Sequence, residues 1–447
     1  MKNVYIETYG CQMNTNDSGI IGKILVDNGF NLIDDASDAD VVLLNTCSIR
    51  DNAEQKIKKR ITQLRFLDNK WKLHRTDSKN VVIGVLGCMA ERLKDELVTK
   101  MGVDIVVGPD AYRKIADVLN DLSIRQNYDL LTALNEAETY DDISPLQIDN
   151  NGVSTFVSIM RGCENFCSYC VVPYTRGRER SRDCHSIIAE CRNLFANGYR
   201  EVTLLGQNVN SYLYNDGETQ VDFADLLKQV ADISPKLRVR FATSHPKDIS
   251  LKLIETMASK NNICRHLHLP LQSGSDEVLH RMNRKYTTKD YLEKVKQVKD
   301  AMNDCSFTTD IIVGFCGETD KDFEATLDMM KTVGYDYAFM FNYSERPTTL
   351  AAKKYQDDVP LEEKNIRLTK LIKLQRQLSM LSNKQDIGKT YEVLVEGESK
   401  RSADKIFGRN SQNKVVVFDK GDYGKGDYAN VRIIDCTSAT LIGTSDV

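Results

Sequence analysis

The sequence predicts an α/β chain of three folded parts. These are a doubly wound parallel sheet over residues 1–125, a partial (β/α)6 barrel over 151–382 that includes a connecting basic helix, and a small antiparallel β-barrel over 383–447. Three observations predict it. Two separate stretches alternate short β-rich runs with helical patterns, the signature of parallel βαβ units. Between them, residues 126–150 hold six acidic side chains and neither Lys nor Arg. After Lys389 the pattern changes to short β runs broken by glycines.

In the first part the β-rich runs are 4–8, 41–45, 81–86 and 104–107, and the helical patterns are 17–27, 52–66, 91–101 and 112–122. The acidic, turn-rich 126–150 reads as a linker. In the second part strands are expected at 154–160, 201–205, 237–243, 265–269, 307–313 and 336–343. Helices at 186–196, 223–233, 251–258, 288–302 and 322–333 separate them. Six such units suit an open barrel whose loops at the strand carboxyl ends carry the chemistry. The helical pattern from 361 to 384 holds a basic excess and reads as a solvated helix face joining two parts. In the tail, β runs at 391–395, 414–418 and 429–434 are punctuated by Gly408, Gly421, Gly424 and Gly426, which suggests a small barrel.

Composition narrows the function. The 60 Lys and Arg against 64 Asp and Glu leave a net charge of −4, which excludes a nucleic-acid binder with a uniformly basic surface. The 126–150 stretch carries more than that whole deficit, so the rest of the chain is close to neutral. Hydrophobic content of 41% and charged content of 28% exclude a disordered or fibrous chain. No apolar run approaches the ~18 residues that cross a bilayer. The start, Met1-Lys2-Asn3-Val4-Tyr5-Ile6-Glu7, lacks a signal peptide's apolar core, so a cytoplasmic protein without membrane contact is expected. Twelve cysteines in such a chain read as metal-binding, catalytic or buried thiols rather than disulfides.

Six of those cysteines form patterns. Cys163, Cys167 and Cys170, in Cys163-Glu164-Asn165-Phe166-Cys167-Ser168-Tyr169-Cys170, directly follow the first strand of the second part. Thiolates at these spacings in a tight loop can meet three corners of an iron-sulfur cube and leave the fourth iron open. A closed zinc site would want a fourth ligand, and Cys184 and His185 stand 14 and 15 residues further on at the head of a helix. Cys11, Cys47 and Cys88 each fall just past one of three successive strands of the first part, in Gly10-Cys11-Gln12-Met13-Asn14, Asn45-Thr46-Cys47-Ser48 and Leu86-Gly87-Cys88-Met89. In a parallel sheet those ends share the carboxyl edge, where ligands bind, so they read as a second open-corner set. The other six cysteines, at 184, 191, 264, 305, 316 and 436, show no converging spacing and read as core thiols.

The Cys-x3-Cys-x2-Cys loop resembles the radical S-adenosylmethionine superfamily. Together with the amino-terminal cysteine set, the chain resembles the methylthiotransferases over nearly its whole length. The resemblance implies two 4Fe-4S clusters, one on Cys163, Cys167 and Cys170 and an auxiliary one on Cys11, Cys47 and Cys88, with S-adenosylmethionine as methyl donor and radical source. It implies that Tyr169 lies against the adenine of that cofactor, with further contacts at Gly206, Gln207, Thr243, Ser244, Gln272 and Ile312-Val313-Gly314. In Gly314-Phe315-Cys316-Gly317 the family usually has proline where Cys316 stands, a departure that could loosen this turn.

Within the family, Gly10-Cys11-Gln12-Met13-Asn14, the segment Val171-Val172-Pro173-Tyr174-Thr175-Arg176-Gly177-Arg178-Glu179-Arg180-Ser181-Arg182, and Pro270-Leu271-Gln272-Ser273-Gly274-Ser275-Asp276 with Met282-Asn283-Arg284 look like the branch acting on isopentenylated adenosine. That branch acts just 3′ of a tRNA anticodon, at position 37. The tail resembles the RNA-binding TRAM domain. The implied chemistry has two stages, methylation of a sulfur on the auxiliary cluster and radical removal of hydrogen from carbon 2 of the adenine, and requires the two cysteine sets to face one cavity. Arg176, Arg178, Arg180 and Arg182, with Lys400 and Arg401 in the tail, are expected to meet RNA phosphates, and a splayed base suits loop recognition. Further basic candidates are Lys56, Lys58, Lys59, Arg60, Lys405 and Arg409. An electron donor protein and a sulfur-supplying system are implied as partners, and the chain is expected to be a monomer. The open alternatives are the same chemistry on threonylcarbamoyl adenosine of tRNA or on a ribosomal protein aspartate, and a non-catalytic iron-sulfur RNA-binding protein.

Overall fold

The computed structural model describes residues 1–48, 51–71, 80–121, 129–148, 151–400, 402 and 404–445. They fall into two compact units, Met1–Asp149 with Met160–Glu164 and Cys170–Ser186, and Asn150–Ile159 with Asn165–Tyr169 and Ile187–Val447. Among the described residues no helix is long and apolar enough to cross a membrane.

The first unit holds strands β1 (Asn3–Tyr9), β2 (Asn31–Leu32), β3 (Val41–Thr46), β4 (Val82–Gly87), β5 (Ile105–Val107) and β6 (Asp129–Leu131). All are parallel, in the order β2-β1-β3-β4-β5-β6. Between them run α1 (Gln12–Asp27), α2 (Asp51–Trp71), α3 (Cys88–Leu93), α4 (Asp95–Met101) and α5 (Ile115–Asn120). β3 and β4 are buried along their whole length, as near-continuous apolar runs covered on both faces should be. One face packs against Ile20, Ile21 and Leu25 of α1 and Leu119 of α5. The other packs against Ile57, Ile61 and Leu64 of α2 and Leu97 of α4. The chain steps from β1 out to β2 and then returns past β1 to β3, so the strand order reverses between β1 and β3. The carboxyl ends flanking that switch point are where open α/β sheets hold ligands.

The linker expected over 126–150 is corrected by this unit. Residues 129–131 pair with β5 as the sheet's sixth strand. Tyr140 is 1% exposed and stacks on Tyr112 at 5.7 Å. Glu138 and Asp142 pair with Arg113. The acidic excess therefore answers an arginine of the same unit instead of solvating a tether.

In the second unit, Ser154–Ser158, Glu201–Leu205 and Arg238–Phe241 form one parallel triplet, and His266–His268, Ser306–Val313 and Tyr337–Asn342 form another. A Val239–Ile263 bridge joins them, with the Val239 N–H donating to Asn262 O at 2.8 Å and the Cys264 N–H to Val239 O at 2.9 Å. Strand order thus follows the chain, as a partial (β/α)6 barrel requires. The crossover helices Phe223–Ala231, Leu251–Ser259, Thr288–Ala301 and Asp320–Val333 each start on a capping side chain, Asp222, Ser250, Thr287 and Thr319. The expected strand 154–160 is shorter here, because Met160–Arg161 pairs instead with Arg180–Ser181 in the first unit. Helix Leu361–Lys384 buries Lys364, Arg367, Leu371 and Gln375 and leaves Lys370, Lys373 and Arg376 exposed. The last five strands, Thr390–Glu398, Lys405–Asn410, Val415–Asp419, Tyr428–Cys436 and Leu441–Thr444, close into a barrel around Val393, Ile406, Val416, Phe418 and Val431.

Candidate active site

Cys11 is the N-cap of α1, Cys47 follows β3 and Cys88 opens α3 directly after β4. A buried amide network joins the first two elements. Asn14 Nδ2 donates to Asn45 Oδ1 at 3.2 Å and to Thr46 O at 3.1 Å, while Asn45 Nδ2 donates to Asn14 O at 2.8 Å and to Ser18 Oγ at 2.9 Å. It brings the start of α1 against the end of β3, and Cys11 and Cys47 are hydrogen-bonded. Glycine is required on both approaches. A Cβ on Gly10 would stand 2.2 Å from Asn14 Oδ1 and 2.8 Å from Cys47 Cβ, and one on Gly87, at φ +87°, would stand 2.6 Å from Thr46 O. Arg176 Nε donates to Cys88 Sγ at 3.1 Å, and its positive charge bears on Cys88 and Cys11 alike. The Cys11 thiol is held below the ordinary thiol range, first by its hydrogen bond with Cys47 and then by Arg176 and local amides, against the effect of burial.

Thiolates on three corners of a cube bind different irons, so they stand further apart than three ligands of a single ion. Among the described residues, the one grouping tight enough for a single ion is Asp183, Cys184 and His185. There the Asp183 carboxylate accepts the backbone N–H of His185 and Ser186 at 3.1 and 2.9 Å, which is ordinary capping of the helix Cys184–Ala196.

The arginine-rich segment departs from expectation. Arg178 is exposed, but Arg176, Arg180 and Arg182 are buried, so the expected phosphate contacts of those three are corrected. All three face the first unit's own acids. Arg176 Nη2 donates to Asp17 Oδ2 at 2.7 Å, Arg180 Nη2 to Asp110 Oδ1 at 2.8 Å, and Arg182 pairs with Asp141 at 3.7 Å. Arg161 also binds Asp17 and lies over the Tyr140 ring at 4.6 Å. Arg161, Arg176 and Arg180 thus share two buried carboxylates, Asp17 and Asp110. Buried guanidinium nitrogens on each, Arg161 Nε and Nη1, Arg176 Nη1, and Arg180 Nε and Nη1, have no hydrogen-bond partner. One positive charge in excess, with spare donors beside the Cys11, Cys47 and Cys88 sulfurs, suits an anionic occupant such as a cluster held by three thiolates.

Of the second cysteine set, Cys163 and Cys170 lie in stretches of the first unit and Cys167 in one of the second; all three are partly exposed. In the first unit the Cys163 N–H donates to Gly177 O at 3.1 Å. In the second, Phe166 takes a left-handed φ of +46°, and Asn283 Nδ2 holds its carbonyl at 2.8 Å. The Ser168 N–H donates to Met282 O at 2.9 Å. Arg284 Nη1 donates to Cys167 Sγ at 3.2 Å, Nη2 to Pro270 O at 3.0 Å and Nε to Tyr286 Oη at 3.0 Å. Tyr169 packs beside Met282, Phe315 and Tyr343.

Gly206 and Gln207 follow the strand Glu201–Leu205, and Thr243 and Ser244 follow Arg238–Phe241. Thr243 and Gln272 have φ of +71° and +69°. Gln207 Oε1, Ser244 Oγ and Gln272 Oε1 are buried without a hydrogen-bond partner, as are Asn208 Oδ1 and both side-chain polar atoms of Asn210. A ring of orphaned polar atoms at strand carboxyl ends suits a ligand rich in hydrogen-bonding groups. The turn after Gly314 is tied down without proline at position 316, because Glu318 Oε2 accepts the N–H of Gly314 at 2.5 Å and of Phe315 at 3.2 Å. The residues missed in the sequence are Asp17, Asp110, Asn208, Asn210 and Arg284 in its contact with Cys167. Only Arg284 had a local signal, its place in Met282-Asn283-Arg284. Lys400 is exposed; Arg401 lies outside the described residues.

Family models match three segments, the Radical SAM superfamily over residues 157–330, the Uncharacterized protein family UPF0004 over 3–108 and the TRAM domain over 384–445. A tRNA-2-methylthio-N(6)-dimethylallyladenosine synthase of Porphyromonas gingivalis is 52% identical over 442 residues, 99% of this chain and 94% of the relative. One of Bacteroides thetaiotaomicron is 52% identical over 447 residues, 99% of this chain and 96% of the relative. Among solved structures, the radical S-adenosylmethionine methyltransferase TsrM from Kitasatospora setae, with cobalamin and a [4Fe-4S] cluster bound, gives a TM-score of 0.57 at 14% identity, covering 78% of this chain and 77% of that one. The cobalamin-dependent S-adenosylmethionine radical enzyme OxsB gives 0.53 at 11% identity, covering 84% and 56%. At these identities the likeness to the two structures is one of fold.

Proposed function

This chain belongs to the family of the radical S-adenosylmethionine tRNA-2-methylthio-N(6)-dimethylallyladenosine synthases, and from that premise we propose how its residues divide the work. The enzyme is a tRNA methylthiotransferase that places a methylthio group on carbon 2 of N(6)-isopentenyladenosine at position 37, next to the anticodon. The superfamily brings one 4Fe-4S cluster and S-adenosylmethionine; the second cluster is our reading. The observation that supports it is the hydrogen bond between Cys11 and Cys47 at the switch point of the first sheet, with the Arg176 guanidinium donating to Cys88 and its charge bearing on Cys11 as well.

In this reading Cys11, Cys47 and Cys88 hold the auxiliary cluster and Cys163, Cys167 and Cys170 hold the other. When bound, the clusters and S-adenosylmethionine supply methyl transfer to sulfur and one-electron removal of hydrogen from the adenine. Gln207, Ser244 and Gln272 would offer acceptors to the amino and hydroxyl groups of S-adenosylmethionine, with Gly206, Thr243 and Gly314 at the neighbouring strand ends, and Tyr169 would be the residue to meet its adenine. Arg284 fixes the Cys167 side chain. Arg178 and Lys400 remain as phosphate contacts. An electron donor protein and a sulfur-supplying system complete the cycle in the cytoplasm, with the enzyme acting as a monomer.

The test is anaerobic reconstitution, an iron and sulfide count, and incubation with S-adenosylmethionine, reductant and isopentenylated tRNA, followed by mass analysis of the nucleosides. The expected product is the methylthiolated nucleoside. With Cys11, Cys47 and Cys88 all changed to Ala, 5′-deoxyadenosine is expected without that product. No 5′-deoxyadenosine from the wild type would mean a binding protein, and its formation without modified tRNA would mean another acceptor.

A further inference from the structure

We propose that Arg176 is a positioning residue for the amino-terminal cysteine set: it fixes Cys88 by an N–H···S hydrogen bond and supplies the positive charge that sets the reduction potential of the cluster there. This rests on reading Cys11, Cys47 and Cys88 as cluster ligands.

Arg176 ends a short helix, Val172–Arg176, and is 3% exposed, so it offers no surface to a tRNA phosphate. Its fork is divided. Nη2 is held by Asp17 at 2.7 Å and Nε points at Cys88 Sγ at 3.1 Å, while Nη1 is buried with no partner. Asp17 fixes the plane of the guanidinium, and is itself fully buried in α1. Yet Asp17 does not cancel the charge, because it also binds Arg161 and accepts from Tyr112 Oη at 3.3 Å. One carboxylate shared by two guanidiniums leaves net positive charge against the sulfurs, and Nη1 keeps two donors for a further anionic atom. Hydrogen bonds to cluster sulfurs and nearby positive charge both favour the reduced, more negative cluster. Lysine carries the charge but lacks the rigid fork that serves Asp17 and Cys88 together.

The test uses the full chain with Cys163, Cys167 and Cys170 changed to Ala, which leaves only the amino-terminal set. After reconstitution, iron is counted and the potential read by a titration followed by electron paramagnetic resonance. Arg176→Met is expected to lower the reduction equilibrium about tenfold, or about 59 mV for one electron. Arg176→Lys is expected to recover part of the shift, and tRNA affinity is expected to stay unchanged in both. In the unsubstituted-Arg176 protein labelled with 15N-arginine, the reduced cluster is expected to show a 15N coupling, a readout that does not depend on any Arg176 variant folding. Absence of that coupling, or iron bound at an unchanged potential in Arg176→Met, would overturn the role of Arg176 alone. A parent that binds no iron would overturn the cysteine reading, and this proposal with it.

Discussion

A histidine packed beside a guanidinium takes up a proton only at a cost to the fold. His245 follows Ser244 at a strand end, is 4% exposed, accepts the Lys247 N–H on Nδ1 at 3.3 Å and meets the Tyr286 ring edge-on at 5.6 Å. Burial first, then Arg284 and Lys247, pull its pKa down to about 2, whereas an unfolded histidine titrates near ~6.5. Between those values the unfolded chain binds a proton that the folded chain does not. The stability contributed by neutral His245 is therefore complete above the unfolded value and is lost as pH falls, by about 1.4 kcal/mol per pH unit. From pH 7.5 to 5.5 the wild type is expected to lose about 1.4 kcal/mol more than His245→Asn in urea unfolding; parallel losses would contradict the assignment. The same scale shows where sequence reading stopped. Four arginines in seven residues look like a cationic surface when counted locally, but the acids that pair with three of them, Asp17, Asp110 and Asp141, lie 41 to 159 residues away. The placement of Cys11, Cys47 and Cys88 at one sheet edge was legible because each falls just past the end of a strand, and strand ends are visible in the local pattern.

Elements carry a second consequence, the seating of the carboxyl-terminal barrel on the core of its own unit. Its turn after the strand Lys405–Asn410 reaches the amino ends of three core strands. Arg238 Nη1 donates to Arg409 O at 2.7 Å and Arg240 Nη2 to Asn410 O at 2.7 Å. Ser411 Oγ accepts the Arg265 N–H at 2.8 Å, and Ser306 Oγ donates to Gln412 O at 2.7 Å. Arg240 Nε also holds the buried Glu201 at 2.8 Å. The barrel thus sits opposite the carboxyl ends that carry Gln207, Ser244 and Gln272. Arg240→Ala removes one seat and leaves Glu201 buried without its partner, an error worth about 3–5 kcal/mol. Hydrogen exchange is expected to show barrel strands opening separately from the core in that variant, and an unchanged single cooperative opening would count against the seating. The alternation Arg238-Val239-Arg240-Phe241 announced a strand but not its docking role, since the partners are backbone carbonyls about 170 residues on. β6 went unread for a related reason. Its three residues stand in an acidic, turn-rich stretch, and only pairing with β5 makes them a strand.

At the scale of the whole molecule, the near-neutral net charge of −4 is matched by extensive internal pairing of the cations. Arginines that looked free are spent inside the first unit, and barrel cations are answered locally, Lys405 by Asp419, Arg409 by Glu396, Lys414 by Asp386 and Lys420 by Glu398. Exposed cations without an ion pair among the described residues include Arg178, Lys400 and the Lys370, Lys373 and Arg376 row of one helix, with others such as Lys56, Arg192, Lys321 and Arg432 scattered over both units. Each phosphate neutralised adds about −0.7 to −0.9 to the slope of log affinity against log salt. With Arg178, Lys400 and only a few of the others meeting phosphates, the expected tRNA slope is no steeper than about −4, with affinity only moderately sensitive to salt. Arg178→Ala is expected to flatten that slope by close to one contact's share. Arg180→Ala is expected to leave the slope as it was and to lower stability instead, because it strips Asp110 of its buried partner. Binding isotherms at four or more salt concentrations separate the two, and a slope near that of a protein making ten contacts would mean that the buried arginines turn outward when tRNA binds.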